Sequence, residues 1–222
     1  MKQIGFFVVL LTFLSGCNGH TKFGDQNAKS GQTDTIIMVG GGCDGCELMY
    51  QGMPKEILSE HTSVGWTEGK QKLQITGKVF QLDGTTPAPY VILYYWHTDD
   101  NGLYATKQQT DAPMNAHGKL RGWVQSDAKG NYTIKTSRPA AYPNDNIPQH
   151  IHLSIKEPAI ANEYYADLYF DDDPLYVNHK NKHGKIDRAG TELLQVVSEG
   201  NVQVAKHNFI LGLNIPNYPI KK

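Results

Sequence analysis

Residues 149–156 read Gln149-His150-Ile151-His152-Leu153-Ser154-Ile155-Lys156, and the run from Leu153 alternates apolar and polar residues. A period of two marks a strand, where successive side chains point to opposite faces. His150 and His152 then project from one face as two adjacent imidazoles. Working outward, strand-like runs recur at 73–80, 90–96, 120–125, 132–136, 164–170, 193–197 and 202–213. Between them lie turn signals such as Asp83-Gly84, Asn101-Gly102, Lys129-Gly130-Asn131 and Glu199-Gly200-Asn201. No long segment keeps a helical period, and Pro54–His61 is the stretch suited to a short helix. The expectation is an all-β chain: an antiparallel β-sandwich with long loops and few short helices.

Tyr142 lies eight residues before His150, and Tyr104 lies further back. Tyr142 sits in Pro139-Ala140-Ala141-Tyr142-Pro143, a loop stiffened by proline. Tyr104 follows Asp99-Asp100-Asn101-Gly102-Leu103, just past a turn. Neutral imidazoles are good ligands for first-row metals, and two added phenolates make a hard, anionic set that favours a trivalent ion over zinc. A His-x-His pair also arises on an ordinary solvated strand. The competing metal reading is zinc or copper held by His150, His152 and one of His97, His117, His179 or His183. Of these, His97 and His117 read as structural or solvent-facing, and residues 179–183 as an exposed polar loop. Tyr94 and Tyr95, inside an apolar strand, read as core aromatics.

At the N-terminus, Lys2 precedes a short apolar stretch, Ile4 to Phe13, too short to span a bilayer. The stretch ends in Leu14-Ser15-Gly16-Cys17, which resembles a bacterial lipobox. The expectation is a signal peptide over 1–16, lipidation of Cys17, and a polar flexible tether over 17–35. Residues 36–72 then form an N-terminal extension, and 73–222 the sandwich. The implied location is the bacterial cell envelope, with the lipid as the membrane contact and the outer membrane as destination.

With Cys17 assigned to lipid, Cys43 and Cys46 remain. Outside the cytoplasm a disulfide-stapled loop is the economical reading of this C-x-x-C, and no second such motif completes a zinc ribbon. The 22 acidic and 21 basic residues nearly balance. No basic stripe is visible, which argues against nucleic acid as a partner.

Several ordered stretches between residues 73 and 177 resemble the intradiol ring-cleavage dioxygenases. They are Gly77-Lys78-Val79 with Asp83-Gly84 and Pro87-Ala88-Pro89; Trp96-His97-Thr98-Asp99 with Gly102-Leu103-Tyr104; and Arg121-Gly122, Asp127-Ala128, Gly130-Asn131-Tyr132 and Thr136. Tyr142-Pro143, Pro148-Gln149-His150-Ile151-His152, Leu168-Tyr169-Phe170 and Asp173-Pro174 continue the series. The resemblance implies a β-sandwich holding non-haem Fe(III) through Tyr104, Tyr142, His150 and His152, with Tyr142 and His150 axial. It implies a catechol-type substrate opened with O2 to a muconate-type diacid, and Tyr142 as the catalytic base. Two positions depart from the family pattern. Ile147 stands where an arginine is usual, and Asp167 falls near the place of a glutamine; both are substrate-pocket candidates. Arg121 and Arg138 are candidates to supply the missing charge. The alternative implied by Ile147 is a weak or inactive module that binds catechols, ferric chelates or glycans at the envelope.

Overall fold

Alternation in the sequence becomes alternation in burial. Along β2 (Lys72–Phe80) Leu73, Ile75 and Val79 are buried, and along β7 (Tyr164–Phe170) Tyr164, Ala166, Leu168 and Phe170 are. The computed structural model describes residues 38–43, 45–104, 116–183, 187–190 and 193–219. Cys17, the expected signal peptide and the expected tether lie outside the described residues.

One sheet runs in the order β1 (Glu60–Thr62), β5 (Asn131–Ser137), β2, β10 (Val202–Lys206), β9 (Val196–Glu199), with β11 (Phe209–Ile210) also pairing with β2. The other runs β4 (Arg121–Gln125), β3 (Ile92–Trp96), β6 (His150–Lys156), β7, β8 (Leu193–Leu194). A single core that includes Leu73, Ile75, Ile134, Leu93, Ile151 and Leu153 joins residues of the two sheets. Each such aliphatic side chain, fully buried, contributes about 1.5–3 kcal/mol.

The sandwich is as expected, but its sheets are mixed rather than purely antiparallel. β2–β5, β3–β4, β3–β6, β6–β7 and β9–β10 are antiparallel. β1–β5, β2–β10, β2–β11 and β7–β8 are parallel. The parallel partners are distant in sequence or joined by long connections, so no tight hairpin imposes opposite directions.

Three local expectations are corrected. Pro54–His61 is not a helix. Leu58 and Ser59 give their carbonyls to Gln125 and Thr133 of neighbouring strands, and Glu60–Thr62 becomes β1. Residues 179–183 are not a loop but the end of α2 (Tyr176–His183), the helix that follows the short α1 (Gly65–Glu68). In the turn just ahead of this helix, Asp173 accepts the Leu175 N–H at 2.8 Å, with Pro174 between them. The expected strand 202–213 breaks at His207-Asn208, where the Asn208 side chain accepts the Lys78 N–H at 2.9 Å. There β2 needs Gly77, because a β-carbon at that position would meet the His207 carbonyl oxygen at 1.6 Å.

His207 is 3% exposed, and neither ring nitrogen has a partner among the described residues. Burial lowers its pKa to about 4. The folded protein therefore disfavours the charged ring, and stability falls as pH drops below the unfolded value of about 6.5 towards 4. Going from about pH 7.5 to about pH 5.5 should cost about 1 kcal/mol through this residue. Urea denaturation at the two pH values should show that loss shrinking by the same amount in His207→Leu.

The second sheet is also covered on its outer face. Tyr94 and Trp96 pack there with Met49, and Tyr104 and Trp123 lie against them. Met49 belongs to a short 3₁₀ helix, Cys46–Tyr50, whose backbone binds the sheet: Trp123 Nε1 donates to Met49 O at 2.7 Å, and Ser154 Oγ to Cys46 O at 3.4 Å. Cys43 and Cys46 form a disulfide just ahead of it. The expected N-terminal extension thus supplies a roof and an edge strand to the sandwich, within one compact unit beginning at Ile36.

Candidate metal centre

Strand register decides what stands around the two histidines. On β6, Ile151, Leu153 and Ile155 enter the inner core, so His150 and His152 take the outer face. His152 is paired with Trp96 on β3 and with Asp167 on β7. Trp96 stacks on the His152 ring at 5.1 Å between centroids, and Asp167 Oδ1 accepts the His152 Nδ1 proton at 2.8 Å. His150 Nδ1 donates to Pro148 O at 2.7 Å. Both rings are thereby held with Nδ1 protonated and the Nε2 lone pair outward.

Two loops bring the phenols to those lone pairs. Asp99 folds the first by accepting the N–H groups of Asn101 and Leu103 through Oδ1. Gly102 (φ 76°) turns it so closely onto the second loop that a β-carbon would meet Ala141 O at 2.1 Å. The loops are also tied by Thr98 Oγ1 donating to Ala140 O at 2.6 Å and Ala140 N to Asp99 O at 3.1 Å. Tyr104 and Tyr142, just past these ties, place their oxygens 2.5 Å apart.

All four predicted groups therefore meet. Tyr142 Oη lies 3.5 Å from both His150 Nε2 and His152 Nε2, and the two Nε2 atoms are 3.0 Å apart. Two lone pairs facing each other at that distance repel unless a positive charge lies between them. Neighbouring donors on a first-row ion with bonds of about 2.0–2.2 Å stand about 3 Å apart, so the set has suitable spacing. Burial, and then the neighbouring His152 charge, depress the His150 pKa. Burial, then the hydrogen bond to Tyr142, raises that of Tyr104. Burial likewise raises Tyr142. Neutral imidazoles suit a metal at once, whereas ionised phenols require a cation beside them. Burial also works to raise Asp167, but its hydrogen bond to His152 holds it below the usual carboxylate range.

The other candidates separate. Ile147 lines a neighbouring cavity of about 360 Å³ with His179 and Lys182 of α2. Arg138 gives its guanidinium to Asp172, Gln149 and Gln203, and Arg121 lies over the Trp123 ring. His97 is 1% exposed and spends both ring nitrogens on Thr98 O and Thr136 Oγ1. Among the described residues, no group of three or more His, Cys, Asp and Glu side chains could hold a metal. The donor set at this point is two phenols and two imidazoles. Asp167, a substrate-pocket candidate in the sequence, orients His152 and also lines a cavity beside it. That cavity is also lined by Tyr165, which carried no sequence signal, and by His117, which the sequence offered only as a third metal ligand or a structural or solvent-facing residue.

A family model described as dioxygenase matches residues 53–182, more than half of the chain. The chain belongs to the intradiol dioxygenase family. It is 31% identical over 111 residues to the protocatechuate 3,4-dioxygenase beta chain of Burkholderia cepacia, covering 47% of each protein. To the catechol 1,2-dioxygenase of Candida albicans it is 25% identical over 170 residues, covering 61% of this chain and 55% of that one. The chain thus spans about half the length of these curated family relatives. Among solved structures, it is similar to the dioxygenase domain of a dioxygenase carbohydrate-binding protein fusion from Streptomyces sp. SirexAA-E, with a TM-score of 0.52 and 25% identity over 70% of this chain and 87% of that one. Hydroxyquinol 1,2-dioxygenase from Pseudomonas putida DLL-E4 shares the fold at a TM-score of 0.53 and 23% identity, over 83% of this chain and 68% of that one.

Proposed function

We propose that Tyr104, Tyr142, His150 and His152 hold a ferric ion, and that the protein cleaves a catechol with O2 between its two hydroxyl-bearing carbons, giving a muconate-type diacid. The supporting observation is the pair of Nε2 lone pairs 3.0 Å apart, with two phenol oxygens beside them. Both oxygens of O2 enter the product, so no outside reductant is needed. When bound, the ferric ion supplies the positive charge that keeps the phenols ionised and acidifies a diol.

The chain's own residues do the rest. Tyr142 Oη, the atom within 3.5 Å of both histidines and 2.5 Å from Tyr104 Oη, accepts a proton from the incoming diol. Tyr104 remains anchored against the Met49–Tyr94–Trp96 cluster. Asp167 keeps the His152 proton on Nδ1. Purified protein should contain about one iron per chain and be red-brown, with a visible band that catechol shifts. Colourless, iron-free protein after ferric reconstitution would refute this function. Catechol binding without oxygen uptake would favour the inactive module instead, a reading supported by Ile147 and by the engagement of Arg138 elsewhere.

The N-terminal sequence supports a second part of the proposal: cleavage after Gly16, lipidation of Cys17 and residence in the bacterial envelope, at the outer membrane. Cys17→Ser should move the protein from the membrane fraction to the soluble one, and mass spectrometry of the N-terminal peptide should lose the acyl mass.

A further inference from the structure

A cavity of about 330 Å³ opens beside the four donors on the outer face of the second sheet. His152, Asp167 and Tyr165 line it from the sheet, Trp96 and His117 from one side, and Gly42 and Cys43 from the stapled turn. Its volume lies at the lower end for small-molecule sites. The Trp96 ring stacks with both His152 and His117, and the His117 ring lies parallel to it at 3.9 Å and 5°. His117 is fixed in that stack by Tyr94, whose hydroxyl lies 3.0 Å from Nδ1. Gly45 of the stapled turn lies beside the other ring nitrogen: a β-carbon there would stand 3.0 Å from His117 Nε2. The wall is therefore built of flat rings, held in place by a cross-linked turn, and it ends on a proposed ligand.

The charges on this wall are as specific as its shape. Among the described residues lining it there is no lysine or arginine, and the carboxylate is that of Asp167. Burial lowers the His117 pKa to about 4, so its ring is neutral near pH 7. The nearby Arg188 lies behind the Tyr165 ring, 3.9 Å from its centroid, and spends donors on Tyr165 O and Gly40 O. Arg188 acts on Asp167 and Arg121 on His117, but neither lines the cavity, so a ring carrying its own carboxylate would face Asp167 with no cation on the wall to pair with. The family relatives include enzymes named for an acidic catechol and for plain catechol, so their names do not decide the matter.

We infer that this cavity is the ring-binding pocket of the chain, that it selects catechols without an acidic substituent, and that the Cys43–Cys46 turn with His117 is its specificity-determining wall. The inference rests on the proposed ferric site and adds to it the class of diol admitted.

Gly42 provides the test. It lines the cavity, is exposed, and a β-carbon there meets nothing within 4 Å, so larger side chains fit. Full-length protein and its Gly42→Lys and Gly42→Trp variants would be loaded with ferric iron and assayed for metal content. Each would then be titrated without oxygen with 4-methylcatechol and with 3,4-dihydroxybenzoate, read by calorimetry. Wild type should bind 4-methylcatechol about tenfold more tightly than the acid. Gly42→Lys should shift the ratio of the two Kd values about three- to tenfold in favour of the acid. Gly42→Trp should weaken both by about tenfold or more.

Tighter binding of the acid by wild type would overturn the substrate class. Full iron content with Kd values unchanged in both variants would overturn the pocket assignment and leave the ferric site standing. Protein that takes up no iron would overturn the ferric site, and this inference with it.

Discussion

Tyr142→Phe is expected to lower turnover per bound iron by about two to four powers of ten, the range for loss of a positioned acid–base group. The expectation comes from where the two phenols are held. Tyr104 packs against the Met49–Tyr94–Trp96 cluster, whereas Tyr142 belongs to neither core cluster and rides on the proline-flanked loop. Its oxygen is the shared neighbour of Tyr104 Oη, His150 Nε2 and His152 Nε2. A phenol so placed can take a proton without disturbing the strands that position the histidines. Phenylalanine keeps the ring, and three donors remain to retain metal. Steady-state oxygen uptake, divided by iron content, checks this. An iron-normalised rate equal to wild type would remove Tyr142 from the role of base.

Asp167→Asn is expected to weaken ferric binding by about ten- to a hundredfold, the usual cost of losing a carboxylate behind a ligating histidine. The carboxylate accepts from His152 Nδ1 at 2.8 Å and so fixes the Nε2 lone pair towards the other donors. Trp96, stacked on the same ring from the opposite neighbouring strand, keeps the imidazole plane from rotating. Asparagine lacks the charge and can turn its amide nitrogen to the ring, which would favour the wrong tautomer. Competition with a ferric chelator measures the loss, and thermal unfolding controls for folding. Unchanged iron affinity in a folded Asp167→Asn protein would reduce this pair to a structural contact.

Much of this was legible in the sequence, for identifiable reasons. The strand over His150–Lys156 and that over Tyr164–Phe170 match the sequence reading end to end, because a half-buried strand writes its period of two directly into residue order. Spacing put His150 and His152 on one face, whereas their assembly with Tyr104 and Tyr142 as proposed ligands was legible through a resemblance, since Tyr104 and His152 meet only once two loops and a sheet have folded. Asp167 was marked, but its task was not. Its place beside His152 follows from the register of β6 against β7, which residue order does not state. His117 was readable only as a candidate third ligand or a structural or solvent-facing residue, because a histidine before a glycine looks like any loop residue until it stacks on Trp96. The segment around Pro54 failed for a different reason: neighbouring strands claim its carbonyls, a tertiary bond that outweighs local helical preference. The turn leading into α2 was present as Asp173-Pro174 and went unread.

Met49 and the disulfide turn come from ahead of β2, the first long strand, yet they close the face on which the histidines stand. A protein trimmed to begin at Lys72 would keep its inner layer of aliphatic side chains and lose its lid together with the edge strand β1. Such a truncate should fold less stably and expose Tyr94 and Trp96 to water. The segment from the disulfide to Met49, which lies ahead of β1 and belongs to neither sheet, can therefore be exchanged without touching the strands beneath.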